Sequence, residues 1–395
     1  MNAVRSLAPA RSRELPASCA ELADLLHRTP LAELPEEEVL RLSERHDAAV
    51  AGPDTDENEI LRLLTRTFSR RLDIPEYYRY TGLHVTGWYL ARREERREDP
   101  YEAGLLLLHA LVTDLIALEE REAGLHETTV EEGAERVRRL EAVLDHLGGS
   151  PLGPDRTMAS AELVRLADHD DVLVRDLLVV NRCSGFRRSD KHDEHMFMRS
   201  VQACEILFFL VRWAARRATE AIGRDRAAYA LRIGQFASAA ELLNVVFHAL
   251  RTLTPELFMG FREATGSASA VQSLNYHLME LVVYGYDERK TETYGRFAHL
   301  APVGSPLLRG FASLRDAATG AGDADVREAF EAGEAPLHVW RGRHYGFGRR
   351  YLPEMTGSGG TEGAGYLKRF VGKAGLASGD RIDDAEQLLT RFAFC

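Results

Sequence analysis

Residues Trp340–Leu367 read WRGRHYGFGRRYLPEMTGSGGTEGAGYL. The first half is arginine-studded and helical in character. Trp340 and His344 stand four residues apart and so share one face of that helix. The second half is a loop of small residues, MTGSGGTEGAG, whose backbone N–H groups at Gly357, Gly359 and Gly360 carry no side-chain obstruction. The hydroxyls of Thr356, Ser358 and Thr361 add donors, so the loop can cradle a carboxylate. It lacks the lysine of a nucleotide-phosphate loop, which makes a phosphate site a poor fit.

Working outward, helical periodicity dominates and strand-like alternation is almost absent. Apolar residues at i, i+3, i+4 and i+7 predict helices over Glu36–Val50, Glu57–Arg71, Leu83–Arg96, Tyr101–Glu122 and Val130–Leu147. A stretch with two prolines, Gly148–Arg156, then interrupts the pattern as a domain boundary or long connection. Further helices are predicted over Ala161–Asn181, His195–Ile222, Arg226–Thr254, Ala270–Tyr284, Pro306–Gly320, Ala324–Ala332 and Ala335–Arg350. The fold is therefore expected to be all-α, a helical bundle. The first 50 residues, rich in Ala, Arg and Glu, are expected to be partly disordered.

The chain has 395 residues, 45% hydrophobic and 28% charged, enough to bury a substantial core. A formal net charge of −11 argues against a nucleic-acid partner held by phosphate neutralisation. The arginines between Arg93 and Arg97 sit among glutamates and read as a solvated helix face. Cys19, Cys183, Cys204 and Cys395 show no C-x-x-C spacing, so neither a zinc knuckle nor a covalent haem attachment is supported, and a reducing cytoplasm is the simplest setting. The N-terminus has no continuous apolar core of a signal peptide. LLLLHALVTDLIAL is broken by His109 and Asp114, so it reads as a buried helix and no membrane partner is expected.

A neutral imidazole on a rigid helix is a common axial ligand of haem iron, which makes His344 the candidate metal ligand and Trp340 its packing neighbour. Two more stretches carry chemistry. In HDEHMFMRSVQACEILFF, His192–Phe209, the residues Phe197, Val201 and Glu205 fall on one helical face. In FMGFREATGSASAVQSLNYH, Phe258–His277, Arg262 lies one turn after Phe258, and its guanidinium can grip a carboxylate through two parallel hydrogen bonds.

Together these stretches resemble the tryptophan 2,3-dioxygenase family. W-x-x-x-H precedes a G-[ST]-G-G-[ST] loop there; HDE-x-x-F-x-x-x-H-Q-A-x-E-L matches His192, Asp193, Glu194, Phe197, Gln202, Ala203 and Glu205; and F-x-x-F-R-E with A-S-x-x-Q-S-L covers Phe258, Arg262, Ala268, Ser269 and Gln272–Leu274. The resemblance spans about residues 160–380. It implies an all-α bundle in which residues 156–395 form a haem-binding oxygenase domain, with residues 1–155 an added helical region. It also implies haem b as cofactor, His344 as the iron ligand, and Trp340 with Gly357, Gly359 and Gly360 beside the cofactor and head group. Phe197, Val201 and Phe258 would form the aromatic pocket, with Arg262 and Ser358 holding the amino-acid head group. The partners would be a small aromatic amino acid and dioxygen, in a cytoplasmic homo-oligomer.

Three positions depart from the family pattern. Val201 stands where the family has its distal histidine, and an isopropyl group offers volume but no hydrogen bond. His277 stands where the family usually has arginine. The family's Y-x-x-Y-L-x-L-D-x-L-L segment, which lends tyrosines to a neighbouring subunit's pocket, finds its nearest counterpart in DDVLVRDLLVVN, Asp170–Asn181, which has none. The implied reaction is dioxygen insertion at the indole C2–C3 bond of L-tryptophan or a close analogue, giving an N-formylkynurenine-type product. The departures leave two alternatives: a monooxygenase, hydroxylase or ring-rearranging enzyme acting on a modified tryptophan or tyrosine in specialised metabolism, and a non-catalytic haem sensor.

Overall fold

The computed structural model describes residues 14–122, 130–148, 171–352 and 364–373. The Gly357–Gly360 loop, with Thr356, Ser358 and Thr361, lies outside the described residues, as does most of the predicted connection after Gly148. Among the described residues there is no strand, as the periodicity predicts. The helices are α1 (Ala17–Arg28), α2 (Glu36–Ala51), α3 (Asp56–Thr65), α4 (Glu76–Thr81), α5 (Leu83–Glu95), α6 (Pro100–Glu122), α7 (Val130–Gly148) and α8 (Asp171–Cys183). They continue as α9 (Asp193–Ala221), α10 (Arg226–Leu250), α11 (Pro255–Arg262), α12 (Leu274–Tyr284), α13 (Thr291–Arg296), α14 (Leu314–Gly320), α15 (Ala324–Tyr351) and α16 (Ala364–Arg369).

The organising pair is α9 and α10, which pack along each other, with α15 laid on α10 and α12 and α6 laid on α9. One continuous apolar core runs from Leu15 to Tyr351, so the helices before residue 148 share it with those that follow. Helices α6 and α10 are long and apolar enough to cross a membrane by length and composition. In each, 67% of the most apolar window is buried inside the fold, which accounts for that apolarity.

Several boundaries differ from the sequence reading. The two helices expected over Ala324–Ala332 and Ala335–Arg350 are one, with Pro336 inside it. Proline removes the donor to the carbonyl one turn back, and the Pro336 carbonyl accepts from Asn244 Nδ2 at 2.8 Å, which ties that turn to α10. The stretch Pro306–Gly320 divides instead into a short 3-10 turn and α14, because Ser313 and Asp316 form a reciprocal capping box that starts a new helix. Within the first 50 residues, α1 and α2 are well-formed helices; α1 packs on α3 and α8 and buries Leu22, Ala23 and Leu26. The arginine run is not wholly solvated either. Arg93 is fully buried, paired with Asp176 of α8 and with Glu98, and Arg92 joins Asp176 at 3.2 Å.

The HDE triplet fastens the start of α9 rather than forming a site. Glu194 accepts from the backbone N–H groups of Arg188 and Ser189 and from the Ser189 hydroxyl, at 3.0, 2.8 and 2.6 Å. Asp193 and Glu119 share the buried guanidinium of Arg136, and His192 bridges Glu119 and Glu122. A carboxylate at a helix N-terminus also complements the helix dipole.

Two half-buried histidines make stability acid-sensitive. Nε2 of His27 donates to the Arg182 carbonyl and Nε2 of His84 to the Leu63 carbonyl, at 3.1 and 2.8 Å. Burial depresses each pKa from the usual 6.5 to about 4. Between those values the unfolded chain binds protons that the folded chain does not, so the stability these groups contribute is present above pH 6.5 and is lost as pH falls towards 4. Denaturant midpoints measured across that window should fall with pH, and the fall should shrink when both histidines are replaced by glutamine. An equal fall in the doubly substituted chain would count against these two groups.

Candidate functional site

A cavity of about 240 Å³ lies between α4, α9, α10, α11, α12 and α15. It gathers most of the residues singled out from sequence: Phe197, Val201, Phe258, Arg262, Trp340 and His344 all line it.

His344 forms one wall. Its ring is 5.3 Å from that of Trp340 and 5.5 Å from that of Phe247, and Phe247 meets Trp340 edge-on, so three rings brace each other. Burial lowers the imidazole pKa to about 4. The ring is therefore neutral at physiological pH and keeps a lone pair, the form that ligates a metal. Trp340 is only 1% exposed, and its Nε1 has no hydrogen-bond partner among the described residues. One turn beyond His344, a Cβ at Gly348 would stand 2.9 Å from a Leu367 methyl, so glycine lets α16 close against α15. No group of three or more His, Cys, Asp and Glu side chains is placed to hold a metal ion among the described residues. A single imidazole in an apolar aromatic wall suits a metal whose remaining ligands come from a porphyrin.

The opposite wall is aromatic. Phe197 of α9 stands 5.3 Å from Phe258 and 5.7 Å from Phe261, both of α11, and 6.5 Å from Tyr80 of α4. Rings at such distances pack directly on one another and give the cavity an aromatic wall. Val201 lies one turn along α9 from Phe197 and is partly exposed to the cavity, so it adds apolar surface and no polar atom. Arg262 closes the last turn of α11, whose start is fixed by the Thr254 cap and Pro255. The Thr265 hydroxyl donates to the Arg262 carbonyl at 2.7 Å, and the half-buried guanidinium borders the cavity. His277 also lines the cavity. Its Nε2 donates to the Val271 carbonyl at 2.9 Å, and burial, with Lys290 nearby, holds its pKa well below the usual histidine value.

Among the lining residues that sequence did not point to, two tyrosines matter most. Tyr77 and Tyr80 of α4 reach the cavity, whereas α8, the expected tyrosine-segment counterpart, contributes no residue to its lining. Helix α8 instead uses Arg175 and Asp176 in ion pairs with Asp56, Arg92 and Arg93. The signal was present as Tyr77-x-x-Tyr80-x-x-Leu83, the same tyrosine and leucine spacing, about ninety residues before Asp170. The matched positions Gln202 and Glu205 hold this segment in place. Gln202 Nε2 donates to the Thr81 carbonyl at 2.7 Å, and Glu205 accepts from the Tyr77 hydroxyl at 2.6 Å and from Asn275 Nδ2 at 3.0 Å. Burial raises the Glu205 pKa, with those donors working against it. Replacing Tyr77 by phenylalanine removes one donor from a buried carboxyl and should cost about 1–3 kcal/mol of stability. Urea unfolding measures this, and an unchanged midpoint would show that α4 is held by its ring packing alone.

A family model described as tryptophan 2,3-dioxygenase matches residues 169–299, the part of the chain that contributes Phe197, Val201, Phe258 and Arg262. A tryptophan 2,3-dioxygenase of Ruegeria pomeroyi is 27% identical over 263 residues, covering 55% of this chain and 92% of that protein. One of Bacillus thuringiensis subsp. konkukian is 27% identical over 234 residues, covering 47% and 81%. Another, from Ruegeria sp. (strain TM1040), is 34% identical over a shorter stretch of 97 residues. These matches fall on the helices that build the cavity, so over that part the chain is similar to tryptophan 2,3-dioxygenases.

Proposed function

We propose that the chain binds haem b through His344 and oxygenates L-tryptophan or a close analogue, adding both atoms of dioxygen across the indole C2–C3 bond. The observation that carries this reading is the meeting, around one cavity, of a neutral imidazole, an aromatic wall and a guanidinium that lie far apart in sequence. Haem b, when bound, supplies the dioxygen chemistry. The chain's own residues supply orientation and dryness. Phe197 and Phe258 would grip the indole faces and edges, and Arg262, one turn from Phe258, would draw the carboxylate to a fixed distance from that ring. Ser358 and the glycines at 357, 359 and 360 would complete the head-group contacts.

A second reading rests on Val201. Without a polar atom at that point, an indole N–H has no acceptor there, and a ring bearing a methyl group fits the apolar surface at least as well. The reaction would then be the transfer of one oxygen atom to a modified tryptophan or tyrosine, with a two-electron donor reducing the other to water. Turnover under labelled dioxygen separates the two readings. A tryptophan product carrying two heavy atoms supports the first. One retained heavy atom supports the second, and stable oxygen binding with no product from any aromatic amino acid would sink both in favour of a sensor.

A further inference from the structure

The cavity wall formed by α12, the Glu288–Lys290 turn and α15 carries more positive than negative charge. Lys290 is 1% exposed and lines the cavity, yet its Nζ makes no hydrogen bond among the described residues. Its nearest carboxylate oxygen is Glu280 Oε2 at 3.6 Å, and its other neighbours are the rings of Tyr276 and Phe370, 4.6 and 5.3 Å from Nζ to the centroids. Arg341, 4% exposed, also borders the cavity. It pairs with Glu334 at 3.1 Å, donates to the Tyr284 hydroxyl at 2.8 Å and stands 3.6 Å from Glu280. Lys373 packs its ammonium against the same Glu280. Asp287 pairs with Arg289 at 2.7 Å and also attracts the Lys290 ammonium from farther off. Among the described residues, four cations, Lys290, Arg341, Lys373 and Arg289, thus share three carboxylates, Glu280, Glu334 and Asp287.

A buried cation without a full counter-charge is costly, and it is offset most simply by an anion entering beside it. The depressed pKa of Lys290, brought to about 7 by burial, is what such an uncompensated ammonium shows before its partner arrives. On the same wall His277 Nδ1 has no hydrogen-bond partner among the described residues, so none of their carboxylates competes for the anion there. Aromatic rings flanking Nζ exclude water and leave a planar apolar ligand as the carrier of that anion.

We propose that Lys290 Nζ, with Arg341 beside it, is the seat of a carboxylate belonging to a ligand bound in this cavity. The inference rests on the haem reading above, under which the carboxylate is a porphyrin propionate; the carboxylate of the amino-acid substrate has the same chemistry and is the other source. Lys290→Met removes the charge and keeps the bulk, and Lys290→Arg keeps the charge.

The full-length chain, reconstituted with haem or with haem dimethyl ester, is mixed with excess apomyoglobin and porphyrin release is followed optically. If a propionate is held, haem leaves Lys290→Met at least about 30-fold faster than wild type, the lower end of the loss for breaking a buried charge pair. The ester leaves both at one rate, and Lys290→Arg stays close to wild type. If the substrate carboxylate is held, haem release is unchanged, while tryptophan binds Lys290→Met about 30-fold more weakly by anaerobic spectral titration and tryptamine binds both alike. Either pattern supports the site. Unchanged haem release together with unchanged tryptophan affinity overturns it and leaves the haem reading standing, whereas a wild-type chain that takes up no haem overturns that reading and the carboxylate seat with it.

Discussion

The His344→Ala chain is expected to lose its haem during purification and to show little Soret absorbance, with its far-ultraviolet circular dichroism unchanged. His344 makes no hydrogen bond within the described residues, so its removal breaks no polar network, and its two ring neighbours, Trp340 and Phe247, still pack against each other. What disappears is the lone pair. Losing an outer-shell partner of a metal ligand typically costs roughly 10–100-fold in metal affinity, and losing the ligand itself should exceed that. His344→Gly opens space for added imidazole, which should restore the Soret band. Retention of haem with unaltered axial coordination in His344→Ala would assign the ligand elsewhere; among the cavity's other residues, His277 is the one with a free ring nitrogen.

How far the sequence reached differs between fold and site, and the reasons are physical. Helices longer than about three turns announce themselves through the 3.6-residue period, so α6, α9, α10 and α15 were legible. Pro336 misled because proline normally breaks a helix, and only its packing beside Asn244 explains why α15 continues. Helix α4 escaped for the opposite reason. Its six residues, EYYRYT, bury Tyr77, Tyr78, Tyr80 and Thr81 on one side and pair Glu76 with Arg79 on the other, but fewer than two turns are too short to show a period. His344, Phe197, Phe258 and Arg262 could be picked out because each stands in a stretch that resembles the tryptophan 2,3-dioxygenase pattern. Buried charge is different. Lys290, Arg341 and Arg93 look like ordinary surface cations in sequence, and only the folded chain, by placing Glu280 or Asp176 opposite them, reveals which were drawn inside.

Replacing Arg262 by alanine should weaken tryptophan binding by about 2–5 kcal/mol, the loss expected when one partner of a desolvated charge pair is removed. The argument turns on geometry as well as charge. Phe258 and Arg262 occupy successive turns of one short helix, fixed at its start by Thr254 and at its end by the Thr265 hydroxyl bond to the Arg262 carbonyl. An amino acid whose ring meets Phe258 therefore has its carboxylate delivered to the guanidinium without further reorganisation. Arg262→Lys keeps a positive charge but cannot form two parallel bonds to one carboxylate, so its affinity should fall between those of wild type and Arg262→Ala. Anaerobic spectral titration of the haem-loaded chain reads all three, with tryptamine as the comparison, because an amine without a carboxylate gains nothing from the guanidinium. Equal losses for tryptophan and tryptamine would mean that Arg262 supports the cavity wall rather than the ligand, and the head group would then have to be sought at Lys290 and Arg341.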